Sequence, residues 1–542
     1  MRWLDALGIH QPDLSAVLLM SIRLNSPTST PVDLVASSGR ETLSDLSDPT
    51  RIDRRFGRML IPAVLVAAPL AILLFLVLRT TNGHFTYTLD DPYIHLALAR
   101  NIWHGHYGIN GSEFSAPSSS ILWPFLLAPF SASGRLFEYA PLALNFMCLW
   151  ATIGVMCRIF RDLPVVSRVL VVGSIAISLN LYGLVFIGME HSLQILLVTV
   201  VMLPLIYRDS EGGIGIKVPN YVFAALIALP LTRYEGLAIS LPVLLFLFVH
   251  GYRKAAVLSI TIIALTVGSF SAFLHVNGLN YLPSSVLAKT DLGGIPGIAY
   301  NLHENLQAYG FILLPVAWVL GVYWQTSRSR CFVVLAATVF HFVFGHFGWF
   351  GRYEVYYILF IVVLSVRLAV DSGLKMIPAI LCLPFVFQSL IVATLYTPQA
   401  AENIYGQQAQ MARITAMLGA PIAVNDLGLV ALRSGQYTLD LWGLGSIEAL
   451  RNRLRGGDSE WIAALMARKH AQYAFVYDAW FPHKPASWIR VGELKLLQKK
   501  ITPYSDLVSL YAVDPSSAAK LRSTLRSFAQ QNVSQDFSVA IY

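Results

Sequence analysis

The chain has 542 residues, of which 55% are hydrophobic and only 13% charged. Soluble domains carry about 25% charged residues, so the composition excludes an ordinary soluble protein and indicates a membrane protein. The formal charge of +8 comes from basic residues scattered one or two per loop, which is a signal of membrane orientation and excludes a nucleic-acid-binding face.

Residues 1–57 are polar, rich in Ser, Thr and Asp, and without a signal-peptide pattern. We read them as a disordered cytoplasmic tail. Residues 58–395 then carry repeated apolar windows suited to crossing about 30 Å of hydrocarbon. They lie near 59–79, 138–160, 165–183, 190–207, 219–232, 235–250, 254–275, 306–323, 331–347, 353–370 and 376–395. The fold class is thus a polytopic α-helical membrane protein with eleven expected spans. Arg51, Arg54, Arg55 and Arg58 precede the first window, and Arg158, Arg161, Arg168, Arg208, Lys217, Arg253, Lys254, Arg328, Arg330, Arg367 and Lys375 fill alternate loops. Those loops are expected in the cytoplasm. The N-terminus then lies inside, and the loop 80–137, the turns at Met189, Arg233 and Arg352, the segment 276–305 and everything after 396 lie outside. Cys148, Cys157, Cys331 and Cys382 all fall in apolar segments without a CxxC spacing, which suits small buried hydrophobes better than disulfides or zinc ligands.

The outer loop opens with "FTYTLDDPYIHLALARNIWHGHYGIN" from Phe85. Its adjacent carboxylates, Asp90 and Asp91, stand at the mouth of the bilayer. "PYIHLALARNIW" and "SSSILWPFLLAPFSAS" read as juxtamembrane helices lying in the interface, with Ile94, Leu98 and Ile102 on one face. Asp91 before Pro92 also suits a helix N-cap. The other outer turns carry ionisable groups as well: Glu190 in "GLVFIGMEHSLQILL", Arg233 and Glu235 in "LTRYEGL", Lys289 in "NYLPSSVLAKT", and Arg352 with Glu354 in "GHFGWFGRYEVYYI". Such groups are costly near hydrocarbon and face a cavity or a partner. The structural alternatives are ion pairs within the turns, Arg233 to Glu235 and Arg352 to Glu354, and a Lys289 that reaches lipid headgroups.

Residues 396–542 change character. Short strands ("PIAVND", "YTLDLWG", "YAFVYD", "LVSLYAV") alternate with helices ("IEALRNRL", "SEWIAALMARKHA"), the pattern of a small extracytoplasmic α/β domain.

"LDDPYIHLALARNIWHGHYGIN…SAPSSSILWPFLLAPF" resembles the first extracytoplasmic loop of GT-C glycosyltransferases, and is most similar to the bacterial arabinofuranosyltransferase-like branch. "GMEHSLQILL", "LTRYEGL", "YLPSSVLAKT" and "DLGLVALRSGQYTLDLWGL" resemble further segments of that branch in the same order, from about Phe85 to Leu444. The sequence departs from the branch at His191, Tyr234, Ser284 and Ser285, so arabinose is not carried over. The resemblance implies an inverting transfer from a polyprenyl-phosphate sugar to an acceptor hydroxyl of an envelope glycan or glycolipid, at the outer face of the inner membrane. Asp90 is then the expected general base, with Asp91 orienting the acceptor or capping the helix. Lys289, Arg233 and Arg352 would bind the donor phosphate, and Glu190, Glu235, Glu354, Arg100, His104 and His106 would line the pocket. No organic cofactor or metal is called for, although a divalent metal is left open; the two imidazoles lack a fixed carboxylate partner. The alternative is a non-catalytic membrane scaffold or a polysaccharide-binding or transport protein. A transporter would place its ionisable groups near mid-bilayer in broken helices of matching repeats, whereas these gather at one face.

Overall fold

The computed structural model of the protein describes residues 49–207, 214–289, 295–374, 377–456, 459–531 and 535–542. Most of the expected tail, residues 1–48, lies outside the described residues. The backbone is helical from Pro49, before that tail was expected to end. Two compact units divide the chain, one up to Leu60 and the other Ile61–Tyr542; the sheet and the turns that carry Asp90, Glu190, Arg233 and Arg352 belong to the second.

Every apolar window is helical. Helix α1 (Pro49–Thr80) leads into the outer loop, which holds α2 (Asp91–Trp103), α3 (Leu122–Leu127) and a 3-10 stretch, Ala128–Tyr139, kinked at Gly134. Then come α4 (Ala140–Ile159), α5 (Val165–Ser178), α6 (Leu181–Ile187), α7 (His191–Val201), α8 (Leu203–Ile206), α9 (Asn220–Thr232), α10 (Leu237–Val249) and α11 (Arg253–Val276). A short α12 (Ser284–Lys289) precedes α13 (Ile295–Tyr309), α14 (Leu313–Thr326), α15 (Arg328–Phe344), α16 (Val355–Asp371), α17 (Ile377–Val386) and α18 (Gln388–Leu395).

Among the described residues, four helical runs are long and apolar enough to cross a membrane, or five if α5 and α6, bent by 45°, count as one span. The protein is therefore a polytopic helical membrane protein, while helix length and composition single out only some of the eleven expected spans. Exposure orders the bundle. Only 17% of the α11 window is buried, so its apolar surface faces outward. In contrast α16 is apolar on all sides and buried along nearly its whole length, as a helix at the centre of a bundle must be.

After α19 (Thr397–Gly406) and α20 (Gln408–Leu418) the chain forms β1 (Ile422–Val424), α21 (Gly428–Arg433), β2 (Thr438–Asp440), α22 (Ile447–Arg455), α23 (Glu460–Arg468), β3 (Tyr473–Val476), β4 (Ile489–Leu496), β5 (Leu507–Ala512), α24 (Pro515–Gln531) and β6 (Phe537–Ile541). The strands make one sheet in the order β2-β1-β3-β5-β4-β6. β2, β1 and β3 run parallel, with Val424 opposite both Asp440 and Phe475, and the remaining pairs are antiparallel. Successive strand side chains point to opposite faces. Ile422, Val424, Tyr473 and Phe475 join the large core, whereas Ala423, Leu439, Ala474 and Val476 pack with α22 and α23. Burial on both faces explains why β1 and β3 read as continuous apolar runs. β4, β6 and α24 are additions to the elements expected from the sequence.

The loop 80–137 differs from expectation in one respect that matters for the site. Helix α2 does not lie with one face on lipid: Pro92 to Ala99 are all buried, because α2 is packed between α21, α3 and the 3-10 stretch.

Candidate active site

Helix α21 begins at Leu427, whose side chain cannot cap it. The first backbone N–H groups of a helix need an acceptor, and Asp90 supplies it from far away in the chain. Its Oδ2 accepts the Gly428 N–H at 2.6 Å and its Oδ1 accepts the Leu429 N–H at 2.9 Å. Only glycine fits at 428, because a Cβ there would stand 2.2 Å from the Asp90 carbonyl oxygen. At the other end of α21, Arg100 donates to Leu432 O at 2.7 Å and Ala431 O at 3.2 Å. Helix α2 thus presents an anion to the N-terminus of α21 and a cation to its C-terminus, each matched to the helix dipole. Arg100, expected in the pocket, serves this junction.

Asp90 does not cap its own helix; it occupies the N-cap position of α2 with its side chain turned away. The N-cap position is therefore Asp90 and not Asp91, which is the first residue of α2. Asp91 instead pairs with Arg352 at 2.8 Å, its side chain 22% exposed. Arg352 emerges from a strained turn in which Gly348, Trp349, Phe350 and Gly351 all have positive φ, 103°, 49°, 67° and 72°. Left-handed Trp349 and Phe350 cost on the order of 1–3 kcal/mol each, and three contacts hold them. Glu354 accepts the Gly348 N–H and the Tyr309 hydroxyl, both at 3.0 Å, and the Asn180 amide donates to Phe350 O at 3.0 Å. Glu354 therefore builds the turn that presents Arg352, and Arg352 reaches across to Asp91.

Arg233 is enclosed by carboxylates. It donates to Glu190 at 2.8 Å and to Glu235, in its own turn, at 2.7 Å. The other Glu190 oxygen lies 3.6 Å from His95 Nε2, and His95 Nδ1 is 3.2 Å from Ser118 Oγ. The guanidiniums of Arg233 and Arg352 stand 5.3 and 4.9 Å from the Tyr353 ring, so the aromatic face spreads their charge. Asp91, Arg352, Tyr353, Arg233, Glu190, Glu235 and His95 thus form one network, buried at Arg352, Arg233, Glu190 and His95 and half-buried at the others.

His104 Nδ1 donates to Arg100 O, and His106 Nε2 to Glu113 O, each at 2.8 Å. By helical rise His104 is about 20 Å along α2 from Asp90, apart from this network. Lys289 ends α12, and its side chain lies outside the described residues.

A third carboxylate joins the pair. Asp426, just past the carboxyl end of β1, accepts the Tyr477 hydroxyl at 2.6 Å and the Gln408 amide at 2.8 Å. Tyr477 follows β3, so the carboxylate sits at the ends of two parallel strands, where open α/β sheets place ligands. Burial, and then the neighbouring Asp426, push the Asp90 carboxyl up to about 8 against its two N–H donors. Burial also raises Asp426 above the ordinary carboxylate range. Asp426 lies outside the set of site residues expected from the sequence; the signal for it is its place at the carboxyl end of the expected strand "PIAVND". Among the described residues, no three His, Cys, Asp or Glu side chains gather as metal ligands.

No curated protein matches the chain in sequence. Solved structures similar to it include ArnT from Cupriavidus metallidurans in the apo state, 15% identical over 84% of this chain and 98% of that one, with a TM-score of 0.46. ArnT bound to undecaprenyl phosphate matches at 12% identity over 84% and 99%, with a TM-score of 0.43. The Archaeoglobus fulgidus oligosaccharyltransferase in the apo form matches at 11% identity over 85% and 75%, with a TM-score of 0.42. Residues 402–511, which include Asp426 and α21, match a family described as a domain of unknown function, DUF8728.

Proposed function

We propose that the protein is a GT-C-type glycosyltransferase that moves a sugar, with inversion, from a polyprenyl-phosphate donor to an acceptor hydroxyl of an envelope glycan or glycolipid at the outer face of the inner membrane. In this reading residues 58–395 are the catalytic membrane module, the N-terminus is cytoplasmic, and the loop 80–137 and the α/β region 396–542 face outside. The observation that carries the reading is the Asp90–Asp91 pair, with an arginine on one member and a third carboxylate beside the other.

The two aspartates divide the labour. Asp91 is committed to the Arg352 guanidinium. Asp90, buried beside Asp426, binds a proton tightly and so takes it readily from an attacking hydroxyl. As the acceptor oxygen bonds to the anomeric carbon, its proton passes to an Asp90 oxygen and the bond to the lipid phosphate breaks. The departing phosphate gains charge, which Arg352 offsets at the same site. Asp91 fixes Arg352 for that task, and Arg233, already shared by two carboxylates, supports it through Tyr353. Lys289 is proposed as a second phosphate ligand.

One observation favours a scaffold instead: both Asp90 oxygens bind α21. Transfer of label from a polyprenyl-phosphate sugar to an envelope acceptor by the purified protein decides between the readings. Activity abolished by Asp90→Asn supports the enzyme; no transfer by the unaltered protein from any such donor supports the scaffold.

A further inference from the structure

A cavity of about 220 Å³ opens where the start of the outer loop, the 3-10 stretch and the end of α21 meet. Its wall is aromatic: Phe85, Tyr87, Tyr93 and Tyr139. Phe85 lies 4.9 Å from Tyr87 and 5.4 Å from Tyr139 between ring centres, and Tyr87 is 5.5 Å from Tyr93, so the rings are continuous. The inner hydroxyls are committed elsewhere. Tyr87 OH donates to Glu138 O at 2.8 Å, and Tyr93 OH accepts the Tyr87 N–H at 3.0 Å. These residues therefore offer ring surface to the cavity. The rim carries three charged groups, Arg135, Glu138 and Arg433, with Arg433 Nε 3.1 and 3.2 Å from the two Glu138 oxygens. Tyr139 is 45% exposed.

A sugar ring has an apolar C–H face and an edge of adjacent hydroxyls. Aromatic surface suits the first, and planar guanidinium and carboxylate groups suit the second. A phosphate would meet the Glu138 carboxylate, and a hydrocarbon tail would strand three charges. The position is equally telling. Arg433 is the last residue of the helix whose first N–H groups hold Asp90, about 7.5 Å away by helical rise, and Tyr93 is one turn along α2 from Asp90. That is further than a single sugar residue reaches and within the span of a short chain.

We infer that this cavity is a saccharide subsite, which holds a neutral ring of the acceptor remote from the reacting hydroxyl. This rests on the glycosyl-transfer reading and narrows it: the acceptor is a glycan chain. Because Glu138 belongs to the outer loop and Arg433 to α21, the subsite exists only while those two elements are docked.

The test uses the full-length protein in nanodiscs, probed by saturation-transfer NMR with neutral linear trisaccharides (maltotriose, mannotriose, arabinotriose) and the matching methyl glycosides. At least one trisaccharide should bind, with saturation concentrated on one ring. Tyr139→Ala and Arg135→Ala, both at exposed positions, should each weaken binding tenfold or more, whereas Ser112→Ala, exposed and outside the cavity lining, should change it less than twofold. No binding by any trisaccharide, binding indifferent to both rim variants, or displacement by inorganic phosphate would each overturn the subsite. Failure of the enzymatic reading looks different: saccharide binding intact, with transfer undiminished in Asp90→Asn.

Discussion

Asp90 and Gly428 are 338 residues apart in the chain and joined by a 2.6 Å hydrogen bond from the glycine N–H to the aspartate carboxylate. This contact ties the outer loop to the sheet region and fixes the orientation of the proposed base. It also means that Asp90 has two duties, and the predictions separate them.

Asp90→Asn should lower glycosyl transfer by 10² or more, about 3 kcal/mol in barrier. The amide still accepts one N–H, so the cost in thermal stability should be that of a weakened cap, about 1 kcal/mol. Label transfer and a melting curve on the same preparation give both numbers. Near-normal transfer with the same loss of stability would reduce Asp90 to a helix cap.

The proton affinity of Asp90 sets a pH dependence. Only the deprotonated carboxylate can act as base, so transfer should rise with pH as Asp90 loses its proton towards about 8. Asp426→Asn removes the neighbouring charge that helps to hold that proton, and the rising limb should move to lower pH. Superimposable pH–rate profiles for the two proteins would detach Asp426 from the site.

Gly428→Ala forces a methyl against the Asp90 carbonyl oxygen, 2.2 Å from where the Cβ must stand. Overpacking of this kind costs about 1–3 kcal/mol, and the displaced base should lower transfer with it. Gly154→Ala is the control, since nothing lies within 4 Å of its added Cβ. Equal melting temperatures for both variants would show that the outer loop and α21 are not locked together.

Arg352→Lys keeps a positive charge opposite Asp91 but loses the planar fork that also stacks on Tyr353. Donor KM should rise several-fold with modest loss of stability. Arg352→Ala, which takes the guanidinium away from Asp91, should cost about 3–5 kcal/mol of stability. An unchanged donor KM in Arg352→Lys would argue that Arg352 serves only to anchor Asp91.

Orientation is open to direct measurement. Cysteines placed at Ser112 and Ala519, both exposed, in a cysteine-free background should react with an impermeant reagent in intact cells. Protection of either until lysis would invert the proposed topology.

The sequence by itself determined the helical membrane class, because apolar periodicity and length are local properties, and all eleven windows are helical. It also marked β1, β2, β3 and β5, whose residues are nearly all buried. β4, with Arg490, Glu493 and Lys495, and the edge strand β6, with Ser538, have no continuous apolar run to mark them. The sequence singled out Asp90, Asp91, Arg233 and Arg352 as costly charges needing partners, and could list neighbours in the same turn. For Arg233 and Glu235 the local guess matches, since two residues of separation suffice. Only the tertiary structure decided that Arg352 pairs with Asp91 rather than Glu354, that Glu354 holds a strained turn, and that Arg100 and Asp90 clamp the two ends of α21. It alone brought Asp426 to the aspartate pair. The reason is physical: a buried charge must be satisfied by some partner, but which partner arrives is set by how distant segments pack, and that packing is written in no single stretch of chain.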